Sequence, residues 1–197
     1  MKSSFSEYAQ YVHSWDSFRP RGSVVTWYSV VWFSHGILKH AFMLWLVMGE
    51  RLKTQDKLKP WDIRDGSTPI CAFCKSEPDS HTHLFFLCPF SMQVWGRVQS
   101  MIITDVQSFD IRVVVERITP MASRRLARVV VSKLCLAATV YGLWQETNLR
   151  IFKKISRTDK QVFDAIMSDV RLKLATTKFK CSSNVDRIKR LWQLDKM

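Results

Sequence analysis

The segment CAFCKSEPDSHTHLFFLC, residues 71–88, holds three of the five cysteines and two of the five histidines of the chain. Zinc prefers four sulfur or nitrogen donors at the corners of a tetrahedron, and a Cys-x2-Cys turn brings two thiolates to one edge of it. A histidine and a cysteine separated by four residues can supply the opposite edge. The spacing Cys71-x2-Cys74-x8-His83-x4-Cys88 therefore predicts a Zn2+ site.

The histidine ligand has an alternative, because His81 in place of His83 gives spacings of six and six residues. We favour His83, since four intervening residues are typical of compact zinc knuckles. Metal-free thiols in an ordinary loop are the competing interpretation of the whole segment. A closed set of three cysteines and one histidine leaves no open coordination position, so the zinc would be structural. The isolated Cys135 and Cys181 are expected to be small buried hydrophobic residues.

Outside this segment, apolar residues recur at helical spacing. They predict helices over residues 24–31, 36–49, 122–152, 157–178 and 185–194, with a further helix beginning at Pro89. The helix over 36–49 is apolar on most sides and is expected to be buried. Val162, Ile166, Val170 and Leu174 form one apolar stripe, and Ile188, Leu191 and Trp192 are expected to face the core. The fold class we expect is mainly α: a helical domain with a small inserted zinc-knuckle loop, followed by a C-terminal helical segment. The break at Thr119-Pro120 divides the chain into residues 1–120 and 121–197.

Positive charge is concentrated after that break. The chain has 30 Lys and Arg against 17 Asp and Glu, a formal net charge of +13. Residues 122–197 hold 17 of these basic residues and 6 of the acidic ones, which is +11 of the total. Such an excess favours a polyanionic partner, RNA or DNA, over merely solvated helix faces. The predicted phosphate contacts are Arg124, Arg125, Arg128, Arg150, Lys153, Lys154, Arg157, Lys178, Lys180, Arg187, Lys189 and Arg190.

Several short motifs follow one another in a known arrangement. In chain order they are VWF at 31–33, the pair Lys39-His40, RLKTQDKL at 51–58, Cys-x2-Cys, HLFFLCPFS at 83–91 and VW at 94–95. This arrangement resembles the zinc-binding domain at the C-terminal end of plant non-LTR (LINE-type) retrotransposon reverse transcriptases. Leu38 stands where that family usually has Pro. LWQETNLRIF at 143–152 is similar to the family's W-x-E-R-N-x-R-x-F segment, with Thr147 in place of Arg.

The resemblance implies that residues 1–120 form a zinc-binding domain of the reverse-transcriptase type and that residues 121–197 form a basic helical C-terminal region. It also implies the ligands Cys71, Cys74, His83 and Cys88. The chain has no aromatic-Ala-Asp-Asp polymerase motif, no endonuclease-like constellation and no Gly-rich phosphate loop. We therefore expect a non-catalytic module that takes no small-molecule substrate.

The function predicted from the sequence is zinc-dependent binding of RNA or DNA. Two alternatives stay open: a protein-interaction module, for example for a reverse transcriptase polypeptide, and the remnant of a truncated retroelement without independent activity. The longest apolar runs fall short of the roughly 20 residues that a membrane span needs. We expect no membrane partner and an intracellular protein, located in the nucleus.

Overall fold

The computed structural model describes residues 25–54, 70–102, 108–124 and 126–194. These residues are mainly helical, which confirms the predicted fold class. The α-helices in chain order are α1 (Tyr28–Val31), α2 (Leu38–Met48), α3 (Pro89–Gln99), α4 (Ile111–Ile118), α5 (Ala127–Asn148), α6 (Asp159–Ala175) and α7 (Ser183–Trp192). Two π-helical turns, His83–Leu87 and Leu149–Lys153, and a 3-10 turn at Thr119–Met121 complete the helical elements. Extended pairing among the described residues is limited to one bridge between Ile70 and Pro78.

Helix α5 is the centre of the fold. It is buried on every side from Val129 to Val140, and each of the other six described α-helices packs against it. The expectation that every apolar run is too short for a membrane span was wrong for one helix of the described ranges, because Ala127–Lys153 is long and apolar enough. However, 83% of its most apolar window is buried inside the protein. Burial of that extent is typical of a central core helix.

The start of α5 differs from the prediction. The sequence pattern placed it at Ala122, whereas the helix begins at Ala127 after an extended Leu126. The preceding chain instead forms a tight turn, in which Ala122 N donates to Thr119 O at 3.0 Å and Arg124 N donates to Met121 O at 2.9 Å. Pro120 suits such a turn, since its fixed φ is compatible with the first residues of a helical turn but its missing N–H cannot extend one.

A buried lysine fixes this turn against the core. Lys133 Nζ donates to Ala122 O at 2.6 Å and to Ser29 O at 2.8 Å, and it lies 4.7 Å from the centre of the Phe33 ring. Burial lowers the pKa of Lys133 to about 8. The lysine thus joins α1 and the chain before α5 to the central helix, a role that the sequence pattern did not suggest.

Helix α6 confirms its predicted pattern. Val162, Ile166, Val170 and Leu174 are buried along one stripe. The helix begins with a capping box in which Thr158 and Gln161 bond to each other's backbone N–H groups, an arrangement that satisfies two donors at a helix start. The stripe packs against α5, where Gly142 allows close approach because an added Cβ would lie 2.9 Å from Ile166 Cγ1.

Three expectations about burial were wrong. Cys181 was expected to be a small buried residue but is exposed, whereas Cys135 is buried. Helix α2 was expected to be buried on most sides, yet Leu38 and Phe42 are exposed while His40, Ala41, Leu44 and Val47 face the core. Leu191 of α7 was expected in the core but is exposed, whereas Ile188 and Trp192 are buried. Each of these helices has more apolar residues than its core-facing side can bury, so the apolar residues on the opposite side stay exposed to water.

The buried residues form one core that continues across Thr119-Pro120. Helices α1 to α4, which precede that point or end at it, pack against α5, which follows it. The division into residues 1–120 and 121–197 stays a prediction. The helix predicted over residues 24–31 is α1 in part, since Val24 lies outside the described residues.

Candidate metal centre

The first two cysteines lie on a tight knuckle. Lys75 N donates to Cys71 O at 3.0 Å, and Cys71 N donates to Glu77 O at 2.8 Å, so the chain folds back on itself within seven residues. Lys75 adopts a left-handed conformation with φ of 56°, which turns the backbone immediately after Cys74. The turn brings the Cys71 and Cys74 side chains to the same side.

The other two candidate donors lie at the ends of a π-helical turn. His83 begins this turn, and Cys88 follows it as the residue before α3, with Cys88 N donating to His83 O at 2.7 Å. Ser80 Oγ accepts a hydrogen bond from His83 N at 3.2 Å. Pro89 occupies the first turn of α3, as predicted, where its missing N–H leaves no bond unmade. The wide turn therefore brings residues 83 and 88 to one side of the chain.

The structure brings Cys71, Cys74, His83 and Cys88 together, with one donor atom of each within 4.8 Å of all the others. Cys71 Sγ lies 3.9 Å from Cys88 Sγ, and Cys74 Sγ lies 3.3 Å from His83 Nε2. In tetrahedral zinc sites, metal–ligand distances give S···S edges of about 3.8 Å and S···N edges of about 3.6 Å. The four donors therefore fit a single tetrahedral metal ion.

Burial and hydrogen bonding perturb two of the thiols in the metal-free chain. The Cys71 thiol donates to the Cys88 sulfur, and this bond raises the pKa of Cys71 and lowers the pKa of Cys88. Burial raises the pKa of Cys71 further. A metal ion bound here needs both sulfurs as thiolates, so its binding would release the shared proton.

His81 lies outside the donor cluster. It is buried, with its ring centre 5.3 Å from that of Phe85 and 6.1 Å from that of Phe86. These two phenylalanines and Leu84 form the buried side of the π-helical turn. His81 therefore packs with the apolar side of the segment, and His83 is the histidine that faces the cysteines.

A buried ion cluster fixes the knuckle to the core. Glu146 of α5 is fully buried, and its carboxylate accepts from Arg150 Nε at 2.7 Å and from Arg157 Nε and N at 2.7 and 2.8 Å. Arg150 also donates to Ala72 O at 3.3 Å and Phe73 O at 3.4 Å, inside the Cys-x2-Cys turn. We call Glu146, Arg150 and Arg157 the arginine clamp.

The guanidinium of Arg150 also lies on two rings of the metal segment. Its central carbon is 4.4 Å from the centre of the Phe90 ring and 5.0 Å from that of Phe73, and the two rings are 4.7 Å apart. A guanidinium favours such stacking on aromatic faces. The clamp was not predicted from the sequence. Its signal was Glu146, the one acidic residue of α5, with an arginine four residues later, a spacing that places the pair on one helix face.

The predicted phosphate contacts divide into two groups. Arg150 and Arg157 do not fit the prediction, because their guanidinium groups bond to Glu146 and the Arg150 side chain is only 13% exposed. Arg125 lies outside the described residues. The remaining nine are exposed: Arg124, Arg128, Lys153, Lys154, Lys178, Lys180, Arg187, Lys189 and Arg190.

Comparison with known proteins bears on the metal segment. A family model described as zinc-binding in reverse transcriptase matches residues 10–95, which include all four candidate donors. The match covers less than half of the chain and ends before the basic C-terminal region. No curated protein and no solved structure matches the chain. The match supports the resemblance at the level of a zinc-binding segment of reverse transcriptases.

Proposed function

We propose that this protein is a non-catalytic zinc-binding module and that its basic C-terminal region binds RNA or DNA. The observation that carries the proposal is the group of three sulfurs and one imidazole within 4.8 Å. In this proposal Cys71, Cys74, His83 and Cys88 hold one Zn2+. Four protein donors fill a tetrahedral zinc ion, so the ion would cross-link the segment and leave no position for an activated water.

We propose a structural role for the metal because residues 70–88 contain little regular secondary structure. This segment contains two turns, one bridge and no α-helix longer than a single turn, so little besides the metal, the arginine clamp and the phenylalanine side chains can fix its shape. Ligation adds free energy of folding to segments of this kind. Removal of the metal is therefore expected to destabilise residues 70–88 more than the core around α5.

Two observations support the nucleic-acid part of the proposal. Nine of the predicted basic residues are exposed, and the chain carries +13 overall. The matching family model concerns reverse transcriptases, whose template and product are nucleic acids. We propose RNA or DNA as the partner, a reverse transcriptase polypeptide as the protein beside which the module arose, a plant LINE-type element as its origin and the nucleus as its location.

Metal analysis of the full chain tests the zinc site. We expect one zinc per chain in the wild type and in His81→Ala, and loss of zinc in His83→Ala. His81→Ala is the matched control, because it removes a buried imidazole from the same segment without removing a donor. Equal zinc content in all three proteins, or none in the wild type, would overturn the proposal.

Filter binding at several salt concentrations tests the partner. Contacts to several phosphates make the logarithm of the binding constant fall linearly with the logarithm of the salt concentration. We expect that dependence for single-stranded RNA or DNA, with a smaller slope when Arg187 and Arg190 are both changed to Gln. An affinity that does not change with salt would contradict phosphate contact.

A further inference from the structure

A short segment beside the arginine clamp, which begins within the π-helical turn Leu149–Lys153, presents apolar and basic side chains to solvent. It comprises Phe152, Lys153, Lys154 and Ile155, and we call it the FKKI loop. Phe152 is 77% exposed and Ile155 is 52% exposed, and both lysines are exposed. Phe152 therefore presents an apolar ring to solvent next to two positive charges.

The backbone of the FKKI loop is fixed from both sides. Arg150 before it and Arg157 after it bond to the same buried carboxylate, Glu146, and Arg150 Nη2 donates to Arg157 O at 2.9 Å. Ile155 N also donates to Leu149 O at 3.2 Å, which closes the end of the π-helical turn. The exposed side chains therefore project from a base that is anchored in the core.

Lys154 occupies a backbone conformation that usually selects glycine. Its φ of 57° and ψ of 25° are left-handed, at the position that ends the π-helical turn. Glycine is the common residue at such helix ends because a Cβ is unfavourable there. Glu50, Lys75 and Gln193 also have positive φ, so the conformation identifies Lys154 as the point where the chain turns out of the π-helical turn.

We infer that the FKKI loop is a contact site for single-stranded nucleic acid, with Phe152 stacking on an unpaired base and the two lysines contacting phosphates. This inference rests on the proposed nucleic-acid function and specifies the strand type. Stacking on an aromatic side chain requires a base that is not already stacked in a duplex. Two adjacent lysines and the net charge of the chain favour a polyanion over a neutral protein surface.

The loop is also joined to the candidate metal centre. Arg150, which fixes one end of the loop, bonds to the carbonyls of Ala72 and Phe73 between two candidate ligands. A disturbed knuckle therefore removes two of the acceptors that hold Arg150 in place. Single-strand affinity is expected to fall when the metal is removed, although none of the donors touches the nucleic acid.

Fluorescence anisotropy with the full chain tests the inference, using a labelled single strand and a duplex of the same length as probes. Phe152→Ala is expected to weaken single-strand binding at least about fivefold and to leave the salt dependence unchanged, because a stacked base is lost and no charge. Lys154→Gly is expected to lower the slope of the salt dependence by about 0.7, the contribution of one phosphate on a single strand.

Lys154→Gly also separates binding from folding. Glycine accepts the left-handed conformation, so the midpoint of thermal unfolding is expected to stay equal or to rise by about 2–4 °C while binding weakens. Leu172→Ala is the control for Phe152→Ala, and Lys53→Gln is the control for Lys154→Gly. Each removes an exposed side chain outside the FKKI loop and is expected to bind as the wild type does.

The outcomes distinguish this inference from the proposed function. If the wild type binds neither probe, the nucleic-acid function itself fails. If the wild type binds with the expected salt dependence and both loop variants bind equally well, only the loop assignment fails. Weaker binding accompanied by a lower unfolding midpoint in both variants would make the loop structural. The inference also fails if Phe152→Ala loses affinity for the duplex by the same factor as for the single strand. It fails likewise if Phe152→Ala loses a protein partner that the wild type and the other variants keep.

Discussion

Arg150, at the end of the central helix, donates a hydrogen bond to the backbone carbonyl of Ala72, in the turn between Cys71 and Cys74. The two residues are 78 positions apart in the chain. The same guanidinium bonds to the buried carboxylate of Glu146, so one side chain joins the candidate metal segment to the core. The stability of the metal segment and the integrity of the helix end are therefore expected to depend on each other.

The first prediction concerns this clamp. Arg150→Leu leaves the fully buried Glu146 with fewer partners, and removal of one member of a buried ion pair lowers the free energy of unfolding by about 3–5 kcal/mol. Denaturant unfolding measures the change. Arg97→Gln is the matched control, because its pair with Asp159 is at the surface with Arg97 48% exposed, and such pairs contribute about 1 kcal/mol or less. Equal losses of unfolding free energy in the two variants would contradict a stabilising role for the arginine clamp.

The second prediction compares two helical glycines. Gly142→Ala places a Cβ 2.9 Å from Ile166 Cγ1, so we expect the free energy of unfolding to fall by about 1–2 kcal/mol from overpacking between α5 and α6. Gly96→Ala meets its nearest neighbour, Phe109 Cε1, at 3.7 Å. Alanine there is expected to stabilise the protein by up to about 1 kcal/mol through helix propensity. A stabilising Gly142→Ala would show that α5 and α6 are less closely packed.

The third prediction is a pH dependence. Burial lowers the pKa of His40 from 6.5 to about 4, although Asp169, whose Oδ2 lies 3.3 Å from His40 Nε2, opposes the shift. Between these two pKa values the unfolded chain binds a proton that the folded chain does not, so the free energy of unfolding falls as the pH falls through this window. The total loss is about 3 kcal/mol.

His40→Gln is expected to remove this component of the pH dependence. Denaturant unfolding of both proteins between pH 7 and pH 4 measures it, and acid loss of the metal affects both proteins alike. The wild type should lose stability more steeply than the variant. Parallel curves would mean that folding does not shift the pKa of His40.

The fourth prediction uses the five cysteines as probes. With metal bound, a thiol reagent is expected to modify the exposed Cys181 alone. A chelator should make three more thiols reactive, those of Cys71, Cys74 and Cys88. The buried Cys135, whose pKa burial raises, should react only in denaturant. Four reactive thiols before chelation would contradict metal ligation by the cysteines.

Local patterns predicted much of this architecture. The stripe of Val162, Ile166, Val170 and Leu174 was evident from its spacing, because helix burial follows a fixed period. The start of α5 could not be read in the same way, since Ala122 is held in a turn by Lys133, eleven residues further along and itself unexpected in a core. Contacts between distant residues override the preferences of the chain nearby.

The same distinction holds for the candidate metal centre, whose candidate ligands could be predicted from local sequence and whose contacts with the core could not. The four donors were predicted from their spacing and from the family resemblance, with His81 left open as an alternative to His83, because all lie within one short segment. Arg150, by contrast, was expected to contact phosphate because sequence charge does not reveal burial. Its position depends on Glu146, on Arg157 and on carbonyls far along the chain, and only the folded structure brings these together.

X-ray absorption at the zinc edge, measured on the purified full chain, tests whether Cys71, Cys74, His83 and Cys88 share one zinc ion. We predict three sulfur neighbours at about 2.3 Å and one nitrogen neighbour at about 2.0 Å from a single zinc ion. A shell with fewer than three sulfurs, or a protein that folds fully without bound zinc, would contradict the account.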